Sequence, residues 1–142
     1  MLKKLIATVT AALALALVGA PTPAVAGGGG GNDVRVEARF AGPGLTSGKA
    51  VYRERFRDNT LQQRFKVEVE DAAAGEEFAV SVNNLFIATI FADDLGRAEI
   101  QFRTAAFIDD PGDGQPIDTD FPMLAPGDTI TVGKMSGVFQ ED

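Results

Sequence analysis

The densest group of chemically capable side chains is Asp109, Asp110, Asp113, Asp118 and Asp120, five carboxylates within twelve residues, with Gly112 and Gly114 among them. Carboxylate oxygens suit hard cations; calcium takes about six to eight such ligands, and glycines let a backbone fold around it. The segment is therefore a candidate calcium site. It does not follow the EF-hand pattern, because the ligand spacing differs and no glutamate closes the loop. The plainer reading is a solvated acidic loop whose charges repel one another and hold it extended.

A second group is basic. Arg53, Arg55 and Arg57 recur at every other position, which on a strand puts them on one face. Arg64 and Lys66 are expected opposite them, with Glu68 and Glu70 further along. The plainer reading is a solvent-facing sheet with cross-strand charge pairs. The sharper one is a basic stripe that docks an anionic polymer or the acidic half of a neighbouring copy. Glu54 falls between Tyr52 and Phe56 on the inward side, so it is expected at the sheet margin or paired with an arginine.

Much chemistry is excluded by composition. The chain has no histidine and no cysteine, so Ser–His and Cys–His nucleophilic sites and the usual zinc, copper and non-haem iron ligand sets are missing. Carboxylate pairs could hydrolyse a glycosidic bond, but sugar sites lean on large aromatic faces. Here Tyr52 is the one aromatic that is not phenylalanine. Gly48-Lys49 superficially suits a phosphate loop, yet the spacing from Gly42 is one residue too long and Ala50 stands where a magnesium-binding hydroxyl belongs. A glycine turn into a strand is the expectation there. Gly27 to Gly31 is expected to be a flexible tether, since no Gly-Lys-Ser/Thr follows it.

The elements that must position these groups are strands. Val34, Val36, Ala38 and Phe40 alternate with polar residues, and so do Ala50, Tyr52 and Phe56. The same holds for Phe65, Val67 and Val69, for Phe78, Val80 and Val82, and for Ala98, Ile100 and Phe102. This period of two marks half-buried strands. Ile130 and Val132 form a shorter late strand, and Val138-Phe139 is expected to form another. Leu85 to Phe91 is apolar on both faces apart from Thr89, which predicts a strand covered on both sides. Asn83-Asn84 accepts positive φ and predicts a hairpin between Phe78–Val82 and Leu85–Phe91; Asp93 to Gly96 predicts a second one into Arg97. Ala72 to Ala74 is the one hint of helix, closed at once by Gly75. Ala105 to Ala125 is the one long irregular stretch. Seven to eight short strands at regular spacing predict an all-β, antiparallel β-sandwich.

Ser47-Gly48-Lys49-Ala50, the Phe65-Lys66-Val67-Glu68-Val69 strand, Asp94-Leu95-Gly96-Arg97-Ala98 before Ile100 and Phe102, and Pro126-Gly127-Asp128-Thr129-Ile130-Thr131-Val132-Gly133 follow one another in an order that resembles a family of uncharacterised bacterial exported all-β modules. The resemblance spans roughly residues 45–135. It implies a sandwich used for binding or structure in surface proteins, and it brings no catalytic residues.

The N-terminal region has the layout of a secretory signal peptide. Lys3 and Lys4 precede an uncharged apolar run from Leu5 to Ala20, Pro21-Thr22-Pro23 breaks it, and Ala24-Val25-Ala26 offers small residues for cleavage after Ala26. The run is short for a membrane span. The expected organisation is a signal peptide (1–26), a glycine linker (27–33) and a single domain (34–142), with no span once the leader is removed. The protein is expected to be exported, periplasmic or extracellular. With no cysteine, its fold must rest on packing and strand pairing.

Charge is unevenly divided. Residues 34–70 carry eight basic and five acidic side chains, whereas residues 71–142 carry three and fourteen; the whole chain has a formal net charge of −7. Such acidity opposes non-specific nucleic-acid binding. The leading expectation is a non-enzymatic exported binding or structural module of the cell surface or matrix, with a protein or polymer as partner. A calcium-dependent module is the alternative, with calcium its only expected cofactor. A small carboxylate-based hydrolase ranks third.

Overall fold

A computed structural model describes residues 33–142. The expected signal peptide (1–26) and the glycine linker up to residue 32 lie outside the described residues. The described residues are all-β and form two packed sheets. The strands are β1 (Val34–Ala41), β2 (Ser47–Arg57), β3 (Thr60–Glu70), β4 (Glu77–Val82), β5 (Leu85–Phe91), β6 (Ala98–Arg103), β7 (Gln115–Pro116), β8 (Thr129–Val132), β9 (Met135–Val138) and β10 (Gln140–Glu141). One sheet has six strands in the order β10-β1-β2-β3-β6-β7, and the other has four in the order β5-β4-β8-β9. Pairing is antiparallel except between β6 and β7. The count exceeds seven or eight because two-residue β7 and β10 cap the two edges of the larger sheet.

Alternation builds the core as expected. Val36, Ala38, Phe40, Ala50, Tyr52, Phe65, Val67, Val69 and Phe102 face inward from the larger sheet, and Phe78, Val80, Val82, Ile130 and Val132 from the smaller. Phe139 is fully buried where the chain crosses from β9 to β10, so one aromatic pins the corner between the sheets. Gly48 lies within β2 opposite Phe40. A Cβ there would overlap both the Phe40 ring and the Glu68 carbonyl, so this glycine serves close packing and not phosphate binding.

Two strand expectations are corrected. β5 is an edge strand, not a covered one, and Phe86 and Phe91 are 61% and 62% exposed. Its register with β4 shifts by one at Ile87, a β-bulge. Asp93 to Gly96 does not close a hairpin either: it carries the chain from β5 in the small sheet to β6 in the large one, where β6 pairs with β3. Asn83-Asn84 does form the expected hairpin turn, with φ of 48° and 64°. Ala72 and Ala73 are irregular and Ala74 enters a turn with Gly75, with no helix.

The β2–β3 hairpin dominates the site described next. Its strands are eleven residues each, against four to seven in the small sheet. Asp58 and Asn59, both with left-handed φ, form a two-residue turn. Near the hairpin tip, Phe56 is 51% exposed although its alternation points inward.

Candidate functional site

The strand register turns the arginine stripe into a row. Arg35 pairs with Arg53, Arg53 with Arg64 and Arg64 with Arg103, so four guanidinium-bearing residues stand side by side across β1, β2, β3 and β6. Neighbouring strands lie about 4.8 Å apart. Arg55 and Arg57 continue the basic surface along β2, opposite Gln62 and Thr60. Together these six arginines line a cleft of about 940 Å³ that also includes Val34, Ala106, Phe107 and the carboxylates Asp33, Glu54, Asp58 and Asp109.

The outer face of the large sheet is thus divided. At one end Lys66 meets Glu68 at 2.5 Å and Glu99 at 3.3 Å, while Lys49 meets Glu68 at 3.3 Å. Lys66–Glu68 runs along β3, and the other two are ordinary cross-strand pairs. Glu68 is held below the usual carboxylate range, chiefly by its Lys66 hydrogen bond, and Lys66 is raised for the reciprocal reason. At the other end Arg35 is bound by Asp142, and Arg103 lies 3.8 Å from Asp113. Among the described residues, Arg53, Arg55, Arg57 and Arg64 have no carboxylate within ion-pair distance. Arg55 donates to Gln62 at 2.7 Å and Arg64 to Gln101 at 2.9 Å, both neutral acceptors. Desolvation first, then the nearby Arg103 and Arg53, lower the pKa of Arg64. The buried Nε of Arg103 has no hydrogen-bond partner among the described residues.

Glu54 sits at the sheet margin, as one of its two expectations had it, but its partner is a phenol and not an arginine. Tyr52 Oη donates to Glu54 at 2.5 Å and accepts from Gln63 Nε2 at 2.9 Å. Burial and this carboxylate raise the Tyr52 pKa well above its ordinary value, so the hydroxyl stays protonated and structural. Phe121 stacks on Tyr52 and packs against Phe65 and Phe102.

Phe121 belongs to the stretch expected to be irregular. Two short 3₁₀ turns, Ala105–Phe107 and Pro111–Asp113, fold it, β7 pairs it to β6, and Ile117, Phe121 and the buried Leu124 plug that end of the core. Its carboxylates are dispersed accordingly. Asp113 turns inward, accepts the N–H groups of Asp109 and Asp110 at 3.1 and 3.2 Å, and faces Arg103. Those N–H donors, chiefly, depress its pKa. Asp109, Asp110, Asp118 and Asp120 are exposed. Among the described residues, no three carboxylates come together as a metal-binding group.

Arg53, Arg55 and Arg57 are therefore brought together, and Arg35, Arg64 and Arg103 join them. Arg64 was legible from the hairpin, whereas Arg35 and Arg103 enter only through long-range strand pairing. What this arrangement supplies is a set of planar, charged hydrogen-bond donors, which hold carboxylate, sulfate and phosphate groups through paired N–H···O bonds. No protein-family model matches the chain, and no curated protein matches it.

Proposed function

We propose that this protein is a non-enzymatic exported module of the cell surface or matrix that binds a partner through anionic groups seated in the arginine cleft. The observation that carries this reading is the row Arg35, Arg53, Arg64 and Arg103, whose two central members lack a carboxylate partner among the described residues. Like charges placed directly opposite one another on a sheet are destabilising, and an anion bound across the row would offset that cost. Export is supported by the leader layout of residues 1–26, and a non-catalytic role by a chain without histidine or cysteine.

The test is titration of the purified protein with a sulfated polysaccharide at low ionic strength, beside the double variant Arg53→Ala/Arg64→Ala. Binding that weakens at least tenfold in the variant, and falls steeply with salt, is expected. Equal affinity for wild type and variant would overturn the reading.

A further inference from the structure

The end of the molecule opposite the cleft is acidic and rigid. The β3–β4 and β5–β6 connections are tied to one another by Ala72 N–H to Gly96 O at 3.0 Å, Gly75 N–H to Ala92 O at 2.9 Å and Ala92 N–H to Glu76 O at 2.8 Å. Asp93 accepts the N–H groups of Leu95 and Arg97 at 2.8 and 2.9 Å and so fixes the tip. Gly96 is pressed so closely on Ala72 that no side chain fits there. The resulting knob exposes Asp71, Glu76, Glu77, Asp93 and Asp94 against one cation, Arg97, and Leu95 at its tip is 78% exposed.

Knob and cleft are complementary in charge and in apolar character. The knob presents carboxylates around an exposed leucine, and the cleft presents Arg53, Arg55, Arg57 and Arg64, which have no carboxylate partner among the described residues, beside Ala106 and Phe107. They lie at opposite ends of the long hairpin: Ser47 pairs with Glu70 beside the knob, and Arg57 pairs with Thr60 at the arginine end. Six residues of strand, about 20 Å, separate Ser47 from Arg53 in the arginine row, and Arg57 lies four residues further on. Resting on the anion-binding reading of the cleft, we infer that its partner is the acidic knob of a second copy of this chain. Because the two surfaces differ and sit at opposite ends, the contact is head to tail and repeats, so copies add in a row instead of closing as a twofold dimer. A uniform polyanion fits less well, since Asp33, Glu54, Asp58 and Asp109 line the same cleft, whereas the knob carries Arg97 and the apolar Leu95 beside its carboxylates.

The experiment is sedimentation of the purified protein over a range of concentrations at low and high salt, with two variants. Arg53→Glu/Arg64→Glu spoils the cleft and keeps the knob; Glu77→Lys/Asp94→Lys spoils the knob and keeps the cleft. Wild type should form species larger than a dimer at low salt that return to monomer at high salt. Each variant alone should stay monomeric, and an equimolar mixture should give dimers and nothing larger, because one intact cleft meets one intact knob. That mixture also shows that both variants are folded. Wild type that stays monomeric at every concentration in low salt overturns the inference, as does a self-association that both variants retain. A monomer that still binds the sulfated polysaccharide, with loss in Arg53→Glu/Arg64→Glu, overturns only the second copy as partner and leaves the cleft reading standing. A monomer that binds neither overturns both.

Discussion

Arg53 stands directly opposite Arg64 in the β2–β3 ladder, and among the described residues neither has a carboxylate within ion-pair distance. A sheet built for stability alone would place opposite charges there, as it does at Lys49 and Glu68 on the same face. Arg64→Gln should therefore leave thermal stability unchanged or raise it by up to about 1 kcal/mol, while weakening anion binding. Thermal unfolding with and without sulfate reads both effects. Lower stability together with intact binding would contradict this trade.

Gly48→Ala should be the costliest small substitution in the large sheet. The new methyl meets the Phe40 ring and the Glu68 carbonyl, and the carbonyl belongs to a paired strand that has little room to shift. Overpacking of this kind costs about 1–3 kcal/mol, and roughly 4–8 °C of Tm per kcal/mol is expected for a domain near this size. A melting curve that overlays the wild type would show that the ring moves freely.

Acid should destabilise the fold through Glu68 and Asp113. Both carboxyls titrate below their ordinary values, Glu68 chiefly through its Lys66 hydrogen bond and Asp113 chiefly through the N–H groups of Asp109 and Asp110. A depressed folded-state pKa gives stability that is fully present above the unfolded-state value and is lost as pH falls through the folded one. Lys66 is shifted upward, so its share is present below the ordinary lysine value and lost as pH rises beyond it. Tm should be level near neutrality and fall below about pH 4. Glu68→Gln/Asp113→Asn should start lower at neutrality and fall less steeply in acid; an unchanged acid slope would speak against these two groups.

Calcium at about 1 mM should leave Tm where chelator leaves it. Asp113 is engaged by two backbone donors and faces Arg103, and its four acidic neighbours in the loop are exposed and dispersed. An ion held at a hundred times its Kd would add about 2.7 kcal/mol. A rise of several degrees that disappears in Asp109→Asn/Asp113→Asn would mean that the loop refolds around the ion.

The strands were legible because alternation is a local signal: β1 and β4 follow it residue by residue, and β2 follows it through Tyr52. Part of the arginine row was legible too. Once Asp58-Asn59 is taken as a two-residue turn, counting outward places Arg53 against Arg64. Arg35 and Arg103 were not, since their places depend on which strands flank the hairpin, a choice made by packing. Leu85 to Phe91 misled because an apolar run usually marks cover on both faces, whereas here it forms an edge. The stretch from Ala105 to Ala125 misled in the other direction. Its turn residues hide Ile117, Phe121 and Leu124, which carry no periodicity yet close the core.

The bulge at Ile87 has a bearing on solubility. An uncharged apolar border such as β5 is a template on which other chains can add strands and grow into insoluble fibrils. The extra residue bends that border and increases its local twist, so an incoming flat segment cannot stay in step along it. Deleting Ile87 would restore one continuous register from Leu85 to Phe91 and straighten the border. The shortened chain should then precipitate at concentrations at which the natural one stays clear, with a thioflavin-positive deposit as the sign that the bulge had been acting as a guard.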